Sequence, residues 1–385
     1  MCLRTDSARL YQCTDCIHPP LICGSCTTDV HRRMPFHRLR FWAVDDAGNG
    51  SWEKTSLAAV GFVLHIGHGG LQCPRATWES VRTVQVLDIN GQHSIPMLFC
   101  QCHELYEDQA EQLLQLRLYP ASDDSPRTAF TFRVMKHFLL CQLEMCCSAA
   151  SYYDMLALQT DSVNIRSLKN CYPQFLSSTR EWKVIKTFMK ANSKTGLDLK
   201  PGDATVKCGF CPIPGVNIPD AWKDDPEADL LYRVFEAFDG NFSLQLNNKG
   251  VTESVDPSII GDAGYWVGLA DGEQYLTALA ESRFGASSGT NNTDSPCQHI
   301  RAGNVSLSAK AVNKISRGVV LGSCGRHNFS RPNAAMDLSL GEKYAGTCFL
   351  VINLTFSSLQ VFKHGLLCYF STQSCQGSQY CVSDI

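Results

Sequence analysis

No stretch of this chain approaches the roughly 18 to 20 consecutive apolar residues of a membrane-spanning helix, and Met1 to Cys13 lacks the apolar core of a secretory signal. Charge of one sign is missing too. The 34 Lys and Arg residues stand against 37 Asp and Glu, a net charge of −3, so no global basic field announces a polyanionic partner and any such surface must be a local patch. Only 18% of the residues are charged while 44% are hydrophobic, a balance that excludes intrinsic disorder and permits a sizeable core. There are no internal repeats. These absences predict a soluble, intracellular protein of two or three domains, in which the Asn-x-Ser/Thr sequons at Asn241, Asn291, Asn304, Asn328 and Asn353 are chance matches.

What is present in excess is cysteine. Twenty in 385 residues fall below the roughly 8–10% of a disulfide scaffold but exceed what packing requires. In a reducing compartment, clustered cysteines point to metal ligation rather than to disulfides. Eight of them precede residue 103, and the drop in density there suggests a domain boundary.

Between Glu104 and Lys190 the pattern turns helical. Asp124-Ser125-Pro126 offers a cap with proline at the first helical position, followed by an apolar-periodic stretch from Phe130 to Leu143. Cys141, Cys146 and Cys147, within or at the end of this helix, read as core residues. A second helix, Pro173 to Ala191, carries Arg180, Lys183, Lys186 and Lys190 on one face, which suits either a solvated surface or phosphate contacts. After a connector at Ser193 to Asp203 the pattern becomes strand-like. Leu231–Phe238, Asp239-Gly240 and Phe242–Leu246 read as a hairpin around an Asp-Gly turn, and Glu273 to Ser282 reads as a helix.

The cysteines fall into three groups. Cys13-x2-Cys16-x6-Cys23-x2-Cys26-x4-His31-x5-His37 supplies six ligands in 25 residues. Paired ligands on a tight turn can both reach one Zn²⁺, at about 2.3 Å for a thiolate. One tetrahedral site needs four ligands and two need eight, so these six with Cys2 fall one short of two sites. A looser group comprises His65, His68, Cys73, His93, Cys100 and Cys102, with Gly67, Gly69 and Gly70 for tight turns. The third is dispersed: Cys208-x2-Cys211, Cys297-x-His299 and Cys324-x2-His327, of which Cys208, Cys211, Cys324 and His327 make the best Cys₃His set. Such zinc sites are structural and contribute folding free energy outright.

These clusters stand in a recognisable framework. YQCTDCIHPPLICGSCTTDVHRRMPFHRLRFW (Tyr11–Trp42), LHIGHGGLQCP (Leu64–Pro74) and Leu98-Phe99-Cys100-Gln101-Cys102 resemble the second type of CxC cysteine-cluster domain found beside fungal Kyakuja-Dileera-Zisupton (KDZ) transposases. The resemblance continues through YPASDDSPRTAFTF (Tyr119–Phe132), CGFCPIPGVNIPDAW (Cys208–Trp222), Asp239–Phe242 and CGRHNFSRPNAAMDLSLGEKY (Cys324–Tyr344). It implies a catalytic domain similar to the ribonuclease-H-type fold of the DDE superfamily. In-line phosphoryl transfer there needs two divalent ions about 3.5–4 Å apart, held by carboxylates. The family's first aspartate, in a motif resembling Asp-Ala-Asn-Phe, falls on Asp239; an ordinary Asp-Gly turn is the alternative. Asp384, in Cys381-Val382-Ser383-Asp384-Ile385, is a faint match to the second. Residues 345–385 otherwise depart from the family's pattern and offer no third carboxylate, so the chain as written is expected to be catalytically incomplete, with Mg²⁺ entering only if a full set is present.

The expected architecture is α+β and multidomain. A zinc-rich small β domain (1–102) precedes a helical middle (103–200), an incomplete ribonuclease-H-like sheet with an inserted zinc site (201–344) and a tail (345–385). The resemblance implies a nuclear protein whose partner is DNA at transposon ends. Arg32, Arg33, Arg38 and Arg40, with Lys183, Lys186 and Lys190, are the candidate phosphate contacts. Two alternatives stay open. The spacing over 13–37 is also similar to B-box fingers, which serve protein association; and Asp239, Asp262 and Asp384 together would make an active nuclease or transposase.

Overall fold

The structure is a computed structural model. It describes residues 9–102, 108–193, 198–241, 243–248, 260–268, 314–338, 367–370 and 381–382, with single positions 274 and 350. The chain divides into two compact units, Met1–Lys183 and Val184–Ile385. Among the described residues no helix is long and apolar enough to cross a membrane.

The first unit opens with β1 (Leu10–Cys13), β2 (Ile22–Cys23), the short helix α1 (Gly24–Val30), β3 (Leu39–Val44) and β4 (Gly50–Thr55). They form an antiparallel sheet in the order β2-β1-β3-β4. Next come β5 (Leu64–His65), β6 (Arg82–Asp88), β7 (Gly91–Leu98), helix α2 (Gln109–Gln115), β8 (Leu118–Pro120) and β9 (Thr128–Thr131). These strands build a mixed sheet in the order β5-β7-β6-β9-β8. Val84 and Val86 of β6 and Ile95 and Met97 of β7 face one core with Leu39, Phe62 and Leu113, and all of them are buried.

This sheet corrects two expectations. β6 pairs in parallel with β9, Gln85 opposite Thr128 through Leu87 opposite Phe130, so the sheet runs across residue 103 and the fall in cysteine density marks no structural boundary. Residues 128–131 are also strand rather than helix. Their side chains are buried on both faces, and a short apolar run of that kind has no periodicity by which to tell strand from helix.

The helix that follows, α3 (Phe132–Met145), is capped by Thr131 and not by Asp124–Pro126: the Thr131 hydroxyl accepts from Val134 N–H at 3.0 Å. It ends where Cys146 takes left-handed backbone, φ 51°. Cys141 is buried as expected, but Cys146 is exposed and Cys147 only partly covered. α4 (Ala149–Thr160) and α5 (Tyr172–Lys190) complete the helical layer. Phe130, Phe138, Tyr152 and Phe175 meet there with ring centroids 5.0–6.0 Å apart, and each buried ring contributes roughly 1.5–3 kcal/mol. Gly91 turns the β6–β7 hairpin at φ 118°, where a Cβ would collide with Arg38 and Thr160.

The second unit contains α6 (Ala228–Leu231), β10 (Phe235–Asn241), β11 (Leu246–Asn247), β12 (Lys314–Ser316), β13 (Val319–Cys324), β14 (Ser330–Asp337), β15 (Leu367–Phe370) and β16 (Cys381–Val382). Five strands form a sheet in the order β14-β13-β10-β15-β16. The centre is β10, antiparallel to β13 and parallel to β15; β15 comes from the stretch that the motifs set apart as a tail. The predicted hairpin at Asp239-Gly240 is not formed. Asp239 pairs with Leu321 and Gly240 with Val320 inside the continuous strand. The helix predicted over Glu273–Ser282 lies outside the described residues, save position 274.

Candidate metal centres

Three groups of four ligand atoms converge, each within 4.8 Å: Cys13, Cys16, His31 and His37; His68, Cys73, Cys100 and Cys102; and Cys208, Cys211, Cys324 and His327. A tetrahedron with Zn–S near 2.3 Å and Zn–N near 2.0 Å has edges of about 3.5–3.8 Å. The closest separations run from 3.2 to 3.9 Å, close to that figure.

At the first centre β1 and the turn after it present Cys13 and Cys16, while the turn after α1 brings in His31 and then His37. Cys13 and Cys16 Sγ lie 3.4 and 3.3 Å from His37 Nδ1, and Cys16 Sγ lies 3.5 Å from His31 Nε2. His31 Nδ1 is 2.9 Å from the Thr27 carbonyl; donating there fixes the tautomer that leaves Nε2 free to ligate. Burial lowers the His37 pKa and pushes the Cys13 thiol up to about 11. A metal ion must therefore displace a proton from Cys13 on binding. The six expected ligands divide here: Cys23 and Cys26 stand outside this group at the start of α1, with Cys23 Sγ 3.3 Å from Ser25 Oγ. Cys2 lies outside the described residues.

At the second centre the glycine-rich turn, with Gly67, Gly69 and Gly70 all at positive φ, carries His68 to the end of β7. His68 Nε2 is 3.3 Å from Cys100 Sγ and 3.6 Å from Cys102 Sγ, and Cys73 Sγ is 3.7 Å from Cys102 Sγ. Burial raises the Cys73 thiol, yet the backbone N–H groups of Gln101 and Arg75, together with the thiols of Cys102 and Cys100, bring the group down to about 6. Two histidines of the looser set are excluded. His65 packs edge-on against Trp78, and His93 bonds Asn90 Oδ1 at 2.8 Å, with burial lowering its pKa to about 4.

The third centre joins segments over a hundred residues apart. Cys211 Sγ lies 3.2 Å from Cys324 Sγ, while His327 Nδ1 is 3.5 Å from both Cys208 and Cys324 and 3.9 Å from Cys211. Burial pushes the Cys211 thiol up to about 12. Sequence reading missed the supporting pair: Arg331 Nη2 reaches Cys211 Sγ at 3.4 Å and grips Glu236 at 2.8–2.9 Å, both side chains being largely buried. A Cys₃His set holding Zn²⁺ would carry one net negative charge, and the guanidinium paired with Glu236 lies against one of its thiols. No spacing in the sequence signals such a partner. Cys297 and His299 lie outside the described residues.

The candidate carboxylates are not assembled. Asp239 is exposed near the end of β10 and accepts from Gly240 N–H. Asp262 sits in a short 3₁₀ turn. Among the described residues neither joins a group of ligands, and Asp384 lies outside them.

The basic candidates part ways as well. Arg32 forms a surface ion pair with Asp29 at 2.9 Å, and Arg38, partly buried, donates to the Gln159 carbonyl. Arg40 donates to Gln12 Oε1 and lies over the Trp52 ring. Arg33 stays exposed. Lys183, its pKa lowered by burial, ends the first unit, whereas Lys186 and Lys190 fall in the second.

Comparison with known families agrees with the motifs. Residues 57–164 match a CxC2 like cysteine cluster associated with KDZ transposases. Residues 232–380 match the Kyakuja-Dileera-Zisupton transposase, a span that extends beyond Tyr344, the last position on which the motif resemblance rests. Comparison with curated proteins and with solved structures gives no significant match. Two separate segments of the chain thus resemble this family, a match to the CxC2-type cysteine cluster lying ahead of a match to the KDZ transposase.

Proposed function

We propose that this protein is a zinc-stapled, nuclear, DNA-associated derivative of a KDZ transposase that binds DNA without cutting or joining it. The observation that carries the reading is the closure of the three centres. Each supplies four protein ligands, which leaves no open coordination position for water or substrate, so zinc here organises a binding surface rather than performing hydrolysis. The transposase domain makes DNA the natural partner. The position of Asp239, near the end of the first strand of its sheet, is consistent with the first carboxylate of a ribonuclease-H-type domain, but among the described residues it joins no group of ligands, and a lone carboxylate does not hold two metal ions.

Fluorescence anisotropy of the zinc-loaded chain on duplex DNA tests this. Binding is expected to weaken steeply between low and moderate salt, with little dependence on sequence. Binding that ignores salt would remove the proposal. Strand nicking with Mg²⁺ or Mn²⁺ that disappears in Asp239→Asn would refute catalytic incompleteness.

One observation favours a second reading, a zinc-dependent protein-interaction module: Arg38 and Arg40 are already engaged within the chain. Under that reading, charge reversal at Arg32, Arg33, Arg38 and Arg40 leaves DNA retention unchanged and abolishes capture of a protein partner.

A further inference from the structure

A cleft of about 560 Å³ lies within the first unit, beside the first metal centre. Arg33, Arg117, Arg133 and Lys136 line it, and Asp88 is its single carboxylate. In a chain whose net charge is −3, four cations around one concavity are a concentration of charge that composition does not predict. Low-dielectric walls focus such a field outward.

The cations are held in place by different parts of the fold. Arg33 sits in the 3₁₀ turn His31–Arg33, which begins at a metal ligand. Arg117 follows α2 with left-handed backbone at φ 58°, and its carbonyl accepts from Phe132 N–H at 2.9 Å, tying that turn to the start of α3. Arg133 and Lys136 lie three residues apart on the first turns of α3 and so share a face. The one carboxylate does not cancel them. Asp88 is fully buried, accepts from Thr131 Oγ1 at 2.6 Å, and is taken up by Arg133, whose Nε donates at 3.1 Å. Two of the five guanidinium N–H donors are spent there, and the rest of the Arg133 side chain, 59% exposed, remains available. Arg33, Arg117 and Lys136 are exposed, and among the described residues their side chains make no ion pair.

We infer that this cleft is a phosphate-backbone subsite for duplex DNA, with Arg33, Arg117 and Lys136 contacting phosphates and Asp88 serving to aim Arg133. The inference rests on the DNA-binding reading above and adds the surface that makes the contact. It moves that surface from the row Arg32, Arg38 and Arg40 to a pocket shared by the zinc-held turn and the sheet-and-helix layer.

The test compares the zinc-loaded full chain with three variants on one duplex, from 50 to 200 mM salt. They are Lys136→Gln alone; Arg33→Gln with Arg117→Gln and Lys136→Gln; and Arg166→Gln with Lys169→Gln, two exposed cations outside the cleft. Zinc content and circular dichroism verify folding, and the exposed helical position of Lys136 keeps the single variant foldable. Each lost phosphate contact lowers the slope of log affinity against log salt by about 0.9. The single variant is therefore expected to lose about one unit of slope and the triple about two to three, while the control keeps the wild-type slope. A triple variant with the wild-type slope, or a control that loses as much, overturns the cleft assignment and leaves DNA binding standing. Failure of the wild type to bind DNA removes the broader reading, and the subsite with it.

Discussion

His93 is held neutral by burial, with its pKa lowered from 6.5 to about 4. The unfolded chain therefore binds the extra proton between those values, and stability present above pH 6.5 drains away as the pH falls toward 4, by up to about 1.4 kcal/mol per pH unit. Zinc release adds to acid denaturation of any variant. The difference between wild type and His93→Gln isolates the histidine, and urea titrations at pH 7.5 and 5 are expected to show a smaller acid loss in the variant. Arg331 offers a sharper case. Its removal strands Glu236 in the interior, so Arg331→Ala should cost about 3–5 kcal/mol, and competition with a chromophoric chelator should show zinc affinity at the third centre reduced about 10- to 100-fold. Glu236→Gln in the same background should recover part of the stability and none of the affinity. Residue chemistry of this kind was legible where ligands come in pairs, as at Cys208 with Cys211. It was illegible for Arg331, whose partners are 95 and 120 residues away.

At the scale of single elements, Thr131 both caps α3 and donates to Asp88. Thr131→Ala removes the cap and one bond to a buried carboxylate, and thermal or urea denaturation should report a loss of about 1–3 kcal/mol, with Thr131→Ser nearly neutral. α5 was readable from its periodicity to within a residue of its ends, Tyr172 and Lys190, because a long amphipathic pattern carries its own signal. Asp239-Gly240 was read as a turn, since that dipeptide is a strong turn former. Pairing with β13 overrode it. A strand hydrogen-bonded along one edge to six partners, Val319 through Cys324, outweighs a local preference of a kilocalorie or so.

For the molecule as a whole, each centre that holds zinc would be a cross-link between segments, and metal removal should act unit by unit. Cys208→Ser with Cys211→Ser is expected to lower the zinc content, measured by plasma emission spectrometry, by one ion per chain. The DNA-contacting cleft should be unaffected, since all of its lining residues belong to the first unit. Chelation of the wild type should instead lower the melting temperature of both units, because binding free energy at a structural site is folding free energy.

By itself the sequence pointed to the two family matches and to three groups of side chains suited to a metal, since these rest on residue type and short spacing that survive without a fold. The structure decided which of these side chains converge. Of the six candidates between Cys13 and His37, it brings together two cysteines and two histidines, since the turn after α1 carries His31 to within 3.5 Å of Cys16 while Cys23 and Cys26 stand at the start of that helix. It also decided that the sheet of the first unit ignores the cysteine boundary, and that Arg117, Arg133 and Lys136 meet Arg33 around one cleft. These outcomes depend on strand pairings and helix placements set by burial over distances that no local pattern encodes.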